Sequence, residues 1–135
     1  MRALRGGAIA LILCLSSHAV AQGRDAAEIP RGLWKTEPDG LGVVLHVRTR
    51  RCGRDLCALV ERAKNRRGYD ARSDAVGAKV LWNLRAQPDG SFLGEYSARD
   101  GERYGQTRFR EVGGALHLQG CTAATCRNLV WTRIR

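Results

Sequence analysis

GLWKTEPDGLGVVLHVRTRRCGRDLCALVERAK, Gly32 to Lys64, holds three short runs of period-two or apolar character. Pro38-Asp39-Gly40 separates the first two, and the segment Cys52 to Cys57 separates the last two. Apolar and polar residues that alternate have the period of a half-buried strand, and Asp-Gly or Gly-rich breaks between such runs read as hairpin turns. The rhythm continues through AKVLWNLRAQ from Ala78, SFLGEYSAR from Ser91, ERYGQTRFREV from Glu102, ALHLQGC from Ala115 and CRNLVWTRIR from Cys126. The breaks are PDG at Pro88 to Gly90, RDG at Arg99 to Gly101, VGG at Val112 to Gly114, and the segment Cys121 to Cys126. Counted with the runs that start at Gly32, Gly42 and Leu56, these make eight strands. Sequential strands joined by tight turns predict an all-β fold, an eight-stranded antiparallel up-and-down barrel, because closure removes exposed sheet edges. Only Asn65 to Gly77 is a long connection, with room for a short helix or a flap over one barrel end.

The N-terminus has a different character. MRALRGGAIALILCLSSHAVAQ carries two arginines, an apolar run from Ala8 to Leu15 and a small-x-small site at Ala19-Val20-Ala21, the layout of a secretory signal peptide spanning residues 1–21. A transmembrane helix needs about 20 apolar residues, and no later stretch supplies them, so no membrane span is expected after cleavage. Residues 22–31 then form an N-terminal tail and 32–135 the barrel domain. The expected location is the periplasm of a Gram-negative-type envelope, or outside the cell.

Cys14 would leave with the signal, and four cysteines remain in an oxidising compartment. That setting favours disulfides over zinc, whose thiolate sites mostly use tighter C-x2-C pairs. Redox catalysis usually needs C-x-x-C at a helix start, and neither CGRDLC nor CTAATC opens a helical pattern. In a meander, Cys52 and Cys57 face each other across one hairpin mouth, as do Cys121 and Cys126, at spacings that fit a bridge. Cross-pairing is disfavoured because the two turns fall at opposite barrel ends. No metal site and no cofactor are expected.

The full chain has 23 Lys and Arg against 13 Asp and Glu, and loss of Arg2 and Arg5 with the signal leaves 21 against 13, a charge of +8. The arginines are scattered through alternating segments (Arg48, Arg62, Arg85, Arg99, Arg108, Arg110), which reads as a solvated outer face before a phosphate-binding patch. Nucleic acid is a poor partner for an exported protein. Gly32-Leu33-Trp34 opens the first strand and Trp131-Thr132-Arg133 lies in the last. A barrel closes by pairing these strands, so Trp34 and Arg133 are the expected closure pair, the guanidinium over the indole. Lipocalin-like barrels show such a G-x-W with a late arginine.

Taken together, GLWKTE, GVVLHV, CGRDLCALV, VLWNL, DGERY and LQGCTAATCRNLVWTR resemble the bacterial family called domain of unknown function 2147. The resemblance runs from Gly32 to Arg133 and rests most on the joint order of Cys52, Cys57, Cys121, Cys126, Arg127, Trp131 and Arg133. It implies a periplasmic, lipocalin-like barrel, and no reaction. Ala58 stands where a glycine usually follows the second cysteine, and Ser97-Ala98 replace an Asp-Pro ahead of Gly101-x-x-Tyr104.

Only His46 and His117 remain after signal cleavage, each inside a strand, with serines at 73, 91 and 97. No nucleophile, base and orienting group can be read off together, although Glu95 could meet Asp100 or Glu111 in the fold, and the protein is read as not an enzyme. An eight-stranded barrel can hold one small ligand. The first functional expectation is therefore a non-catalytic binder of a small amphipathic or anionic molecule. Its candidate contacts are Trp82, Tyr96 and Tyr104, with Arg66, Arg67 and Arg72 of the long loop at the mouth. The alternative is an envelope-associated interaction protein whose lumen is filled by Val43, Leu45, Val47, Val80, Leu84 and Phe92 and whose arginine-rich exterior meets an acidic partner. Oligomeric state is not legible.

Overall fold

The computed structural model describes residues 30–135. The expected signal peptide, Cys14 and most of the expected N-terminal tail lie outside the described residues. Eight strands follow one another: β1 Gly32–Lys35, β2 Val44–Cys52, β3 Asp55–Lys64, β4 Lys79–Ala86, β5 Phe92–Ser97, β6 Arg103–Val112, β7 Ala115–Cys121 and β8 Cys126–Arg133. Each pairs antiparallel with the next, and β8 returns to β1, closing the barrel. There is no helix among the described residues.

Three Asp-Gly turns share one device. Asp39 Oδ1 accepts from the N–H groups of Leu41 and Val43, Asp89 Oδ1 from Ser91 N–H, and Asp100 Oδ1 from Glu102 N–H. An aspartate that bonds its own backbone ahead of it fixes a tight turn. The second oxygen of each reaches an arginine of another element: Asp39 to Arg99, Asp89 to Arg108 and Arg110, and Asp100 to Arg127. Much of the scattered arginine therefore ties turns to strands. The first device also shifts a boundary. Asp39 N–H donates to Val43 O and Gly42 N–H to Asp39 O, so Gly42 and Val43 belong to the turn and β2 starts at Val44.

Long connection 65–77 forms neither a helix nor a free flap. The Asn65 side chain accepts from the N–H groups of Arg67 and Tyr69, Lys64 pairs with Asp70 at 2.7 Å, Ala71 N–H donates to Ala63 O, and Gly77 N–H donates to Val60 O. These bonds run the segment back along β3.

Inside, one end is packed and the other is not. Trp34, Val60, Leu84, Phe92, Phe109, Leu116 and Leu118 are buried, with Phe92 and Phe109 edge to face at 6.1 Å. Register shifts between Trp82 and Arg85 and between Gly94 and Tyr96 interrupt the pairing of β4, β5 and β6, and bulges of this kind bend a strand. Asn83 sits at φ 55° in that bend, and a Cβ on Gly94 would lie 2.6 Å from Leu84 and 2.8 Å from the Trp82 carbonyl. The seam is short: only Trp34 with Arg133 and Lys35 with Thr132 are paired between β1 and β8. There Arg133 lies 4.2 Å from the Trp34 ring centre and bonds Arg31 O and Glu111, while Trp34 Nε1 donates to the buried Thr49 hydroxyl.

Candidate functional site

The open end carries the β1–β2, β3–β4 and β5–β6 connections and the start of β8, and between them a cavity of about 480 Å³ descends into the barrel. Its walls are Leu45 and Val47 of β2, Val80 of β4, Tyr96 of β5, Leu129 and Trp131 of β8, with Ala75 from the long connection and Ala78 just ahead of β4. Leu45, Val47, Leu129 and Trp131 arrive there by strand parity: residues that alternate with His46 or Val130 on the outer face turn inward. Tyr96 and Trp131 meet edge to face at 6.3 Å, and Tyr104 stacks behind Tyr96 at 5.9 Å. Burial pushes the Tyr96 phenol above its ordinary pKa, so it stays a neutral hydroxyl.

The rim is charged and nearly balanced, with Glu37, Asp39, Asp74 and Asp100 facing Lys79, Arg99 and Arg127. Arg99 is spent on structure: it donates to Val43 O at 2.8 Å and Thr36 Oγ1 at 2.7 Å and pairs with Asp39 at 3.0 Å. Arg127 is held more lightly, 3.3 Å from Asp100 and 5.7 Å from the Tyr104 ring centre. Backbone N–H donation from Val43, with Leu41 and then Arg99 adding to it, keeps the Asp39 carboxyl below its usual range. Glu102 N–H, then Arg127, does the same for Asp100.

Of the residues proposed from sequence, Tyr96 lines the cavity. Tyr104 is buried one layer behind, its hydroxyl donating to Glu102 at 3.0 Å. Trp82 is half-buried on the outer face under Arg103, whose guanidinium lies 4.7 Å from its ring. Arg66, Arg67 and Arg72 are exposed and stand apart from the cavity lining, although Asp74 and Ala75 of the same connection reach it. Arg99 and Arg127 occupy the rim in their place. Parity along β8 was the available signal, since Arg127, Leu129, Trp131 and Arg133 fall on one face. Both cysteine pairs are local, with Cα–Cα distances of 5.7 Å for Cys52–Cys57 and 4.0 Å for Cys121–Cys126. His46, His117, Ser73 and Ser91 do not line the cavity, and no group of three or more His, Cys, Asp or Glu side chains with metal-site geometry occurs among the described residues.

Eight antiparallel strands closed in sequence order, packed at one end and hollow at the other, define a lipocalin-like barrel. The family described as "Uncharacterized protein conserved in bacteria (DUF2147)" matches residues 32–133, and the chain belongs to it. No curated protein and no solved structure matches the chain.

Proposed function

We propose that the mature domain is an exported, non-catalytic binder of a small amphipathic molecule, whose apolar part enters the open end and whose polar head stays at the rim. The observation that carries this reading is the cavity of about 480 Å³, apolar in its walls and charged only at its mouth. Small-molecule sites typically measure about 300–1,000 Å³ and combine mainly apolar walls with a few polar groups. Tyr96, Leu129 and Trp131 supply shape and contact area, and Arg127 is the cation best placed to exchange Asp100 for an anionic head. Burial of an alkyl chain contributes about 0.8 kcal/mol per methylene, so a chain of six to eight carbons accounts for roughly 5–6 kcal/mol before losses of ligand freedom.

The disulfides suit an oxidising compartment, which supports periplasmic or secreted placement. An anionic fluorescent fatty-acid analogue is the direct probe. Binding in the micromolar range is expected, equivalent to about 8 kcal/mol. Leu129→Trp fills the cavity and should abolish it, whereas Arg66→Ala, Arg67→Ala and Arg72→Ala combined should leave it within threefold. Absence of binding by the wild type, or full binding by Leu129→Trp, rejects the reading.

A further inference from the structure

Outside the barrel, beneath the β1–β2 and β3–β4 connections, a second cleft of about 340 Å³ is lined by Lys35, Gly42, Val44, His46, Lys64, Asn65, Arg66 and Gly68. Its construction differs from the open end. Three cations and an imidazole line it, and no carboxylate does. Register brings them together: Lys35 of β1 opposes His46 of β2, His46 opposes Arg62 of β3, and Val44 opposes Lys64 on the next row. Residues directly opposite on a sheet face have Cβ atoms about 4.5–5.5 Å apart, and like charges so placed are destabilising. Asp70 answers only part of this charge, pairing with Lys64. Arg66 completes the cleft by folding over Gly42, where φ is +77° and a Cβ would collide with the arginine side chain.

We infer that this outer cleft is a binding site for a phosphate group, carried by a soluble phosphate ester or by a phospholipid headgroup, with Lys35, His46, Lys64 and Arg66 as its ligands. A phosphate anion offsets part of the charge on the row of opposed cations and accepts hydrogen bonds from ammonium, guanidinium and imidazolium donors at once. Partial burial, followed by Lys64, Arg62 and Lys35, depresses the His46 pKa, and Asp70 pulls it the other way. A bound phosphate adds negative charge beside the ring and so raises that pKa, which means that a phosphodiester, whose single charge does not change across the histidine range, binds more tightly to the protonated ring. The site is independent of the interior cavity.

Histidine NMR with inorganic phosphate and pyrophosphate reads this out, because the only other histidine among the described residues, His117, sits exposed on β7 and serves as an internal control. Phosphate is expected to raise the His46 pKa and to leave the His117 resonances unmoved. The pair Lys35→Gln and Arg66→Gln should weaken binding at least tenfold while keeping the wild-type far-UV circular dichroism. Arg51→Gln with Arg54→Gln, an equal charge change at the opposite barrel end, should bind as wild type. Co-sedimentation with phosphatidylcholine vesicles that contain phosphatidylglycerol, lost in the first pair only, identifies the lipid source. Phosphate or pyrophosphate binding without co-sedimentation identifies a soluble ester. A static His46 without vesicle binding, or equal losses in both variant pairs, overturns the proposal.

Discussion

Replacing Trp34 tests the closure of the barrel. Its side chain is fully buried, donates one hydrogen bond of 2.9 Å to Thr49 and carries the Arg133 guanidinium on its face. Truncating a core aromatic to alanine costs about 3–5 kcal/mol, a large part of the 5–15 kcal/mol typical of a domain. Trp34→Phe retains most of the apolar volume. It loses the indole hydrogen bond, about 1 kcal/mol, and weakens the cation contact by roughly 0.5–1 kcal/mol, so a loss near 2 kcal/mol is expected. Arg133→Met should cost about 1–2 kcal/mol, because its pair with Glu111 is one-third exposed and contributes little. The combination of Trp34→Ala and Arg133→Met should cost less than the sum of the two, since the residues are in contact. Urea unfolding with a slope of about 1.5 kcal/mol per molar separates the alanine variant from wild type by roughly 2–3 M in midpoint. A loss below about 1.5 kcal/mol for Trp34→Ala, or equal losses for alanine and phenylalanine, would refute the view that this pair secures the two-pair seam.

Peptide mapping without reduction should recover Cys52 linked to Cys57 and Cys121 linked to Cys126, and replacing the second pair by alanine should cost about 2 kcal/mol in the chain-entropy account of a short loop. Asp39 has a carboxyl pKa held low in the folded state, so its contribution to stability is present above the unfolded value of 3.8 and is lost as pH falls through the folded value. Asp39→Asn should therefore lower the urea midpoint at pH 6 and converge on wild type near pH 2. Divergence at low pH would show the sign to be wrong. Gly94→Ala should destabilise by about 1–3 kcal/mol through overpacking against Leu84, while Gly105→Ala, with nothing within 4 Å of its Cβ position, should leave the thermal midpoint nearly unchanged. Tyr104→Phe removes one partly buried hydrogen bond to Glu102 and should cost about 1 kcal/mol by the same denaturation assay.

Strand number, strand order, hairpin connectivity and both local cysteine pairings were legible in the sequence by itself, because each depends on neighbours: a two-residue period, an Asp-Gly turn, two cysteines five positions apart. The first and last strands could be matched through Trp34 and Arg133 because closure leaves them no other partner. Arginine defeated the same reading. Whether a guanidinium binds a ligand, ties a turn or stands in solvent depends on where carboxylates from distant strands arrive. Only the folded barrel shows Arg99 committed to Asp39, Arg108 and Arg110 to Asp89, and Arg66 lying outside over Gly42. Lumen volume was beyond reach for a related reason. Leu45, Val47 and Trp131 look alike in sequence whether they fill a core or wall a cavity. What separates the two cases is which side chains distant strands bring opposite them: Phe92, Phe109, Leu116 and Leu118 meet at one end, and the other keeps a cavity of about 480 Å³.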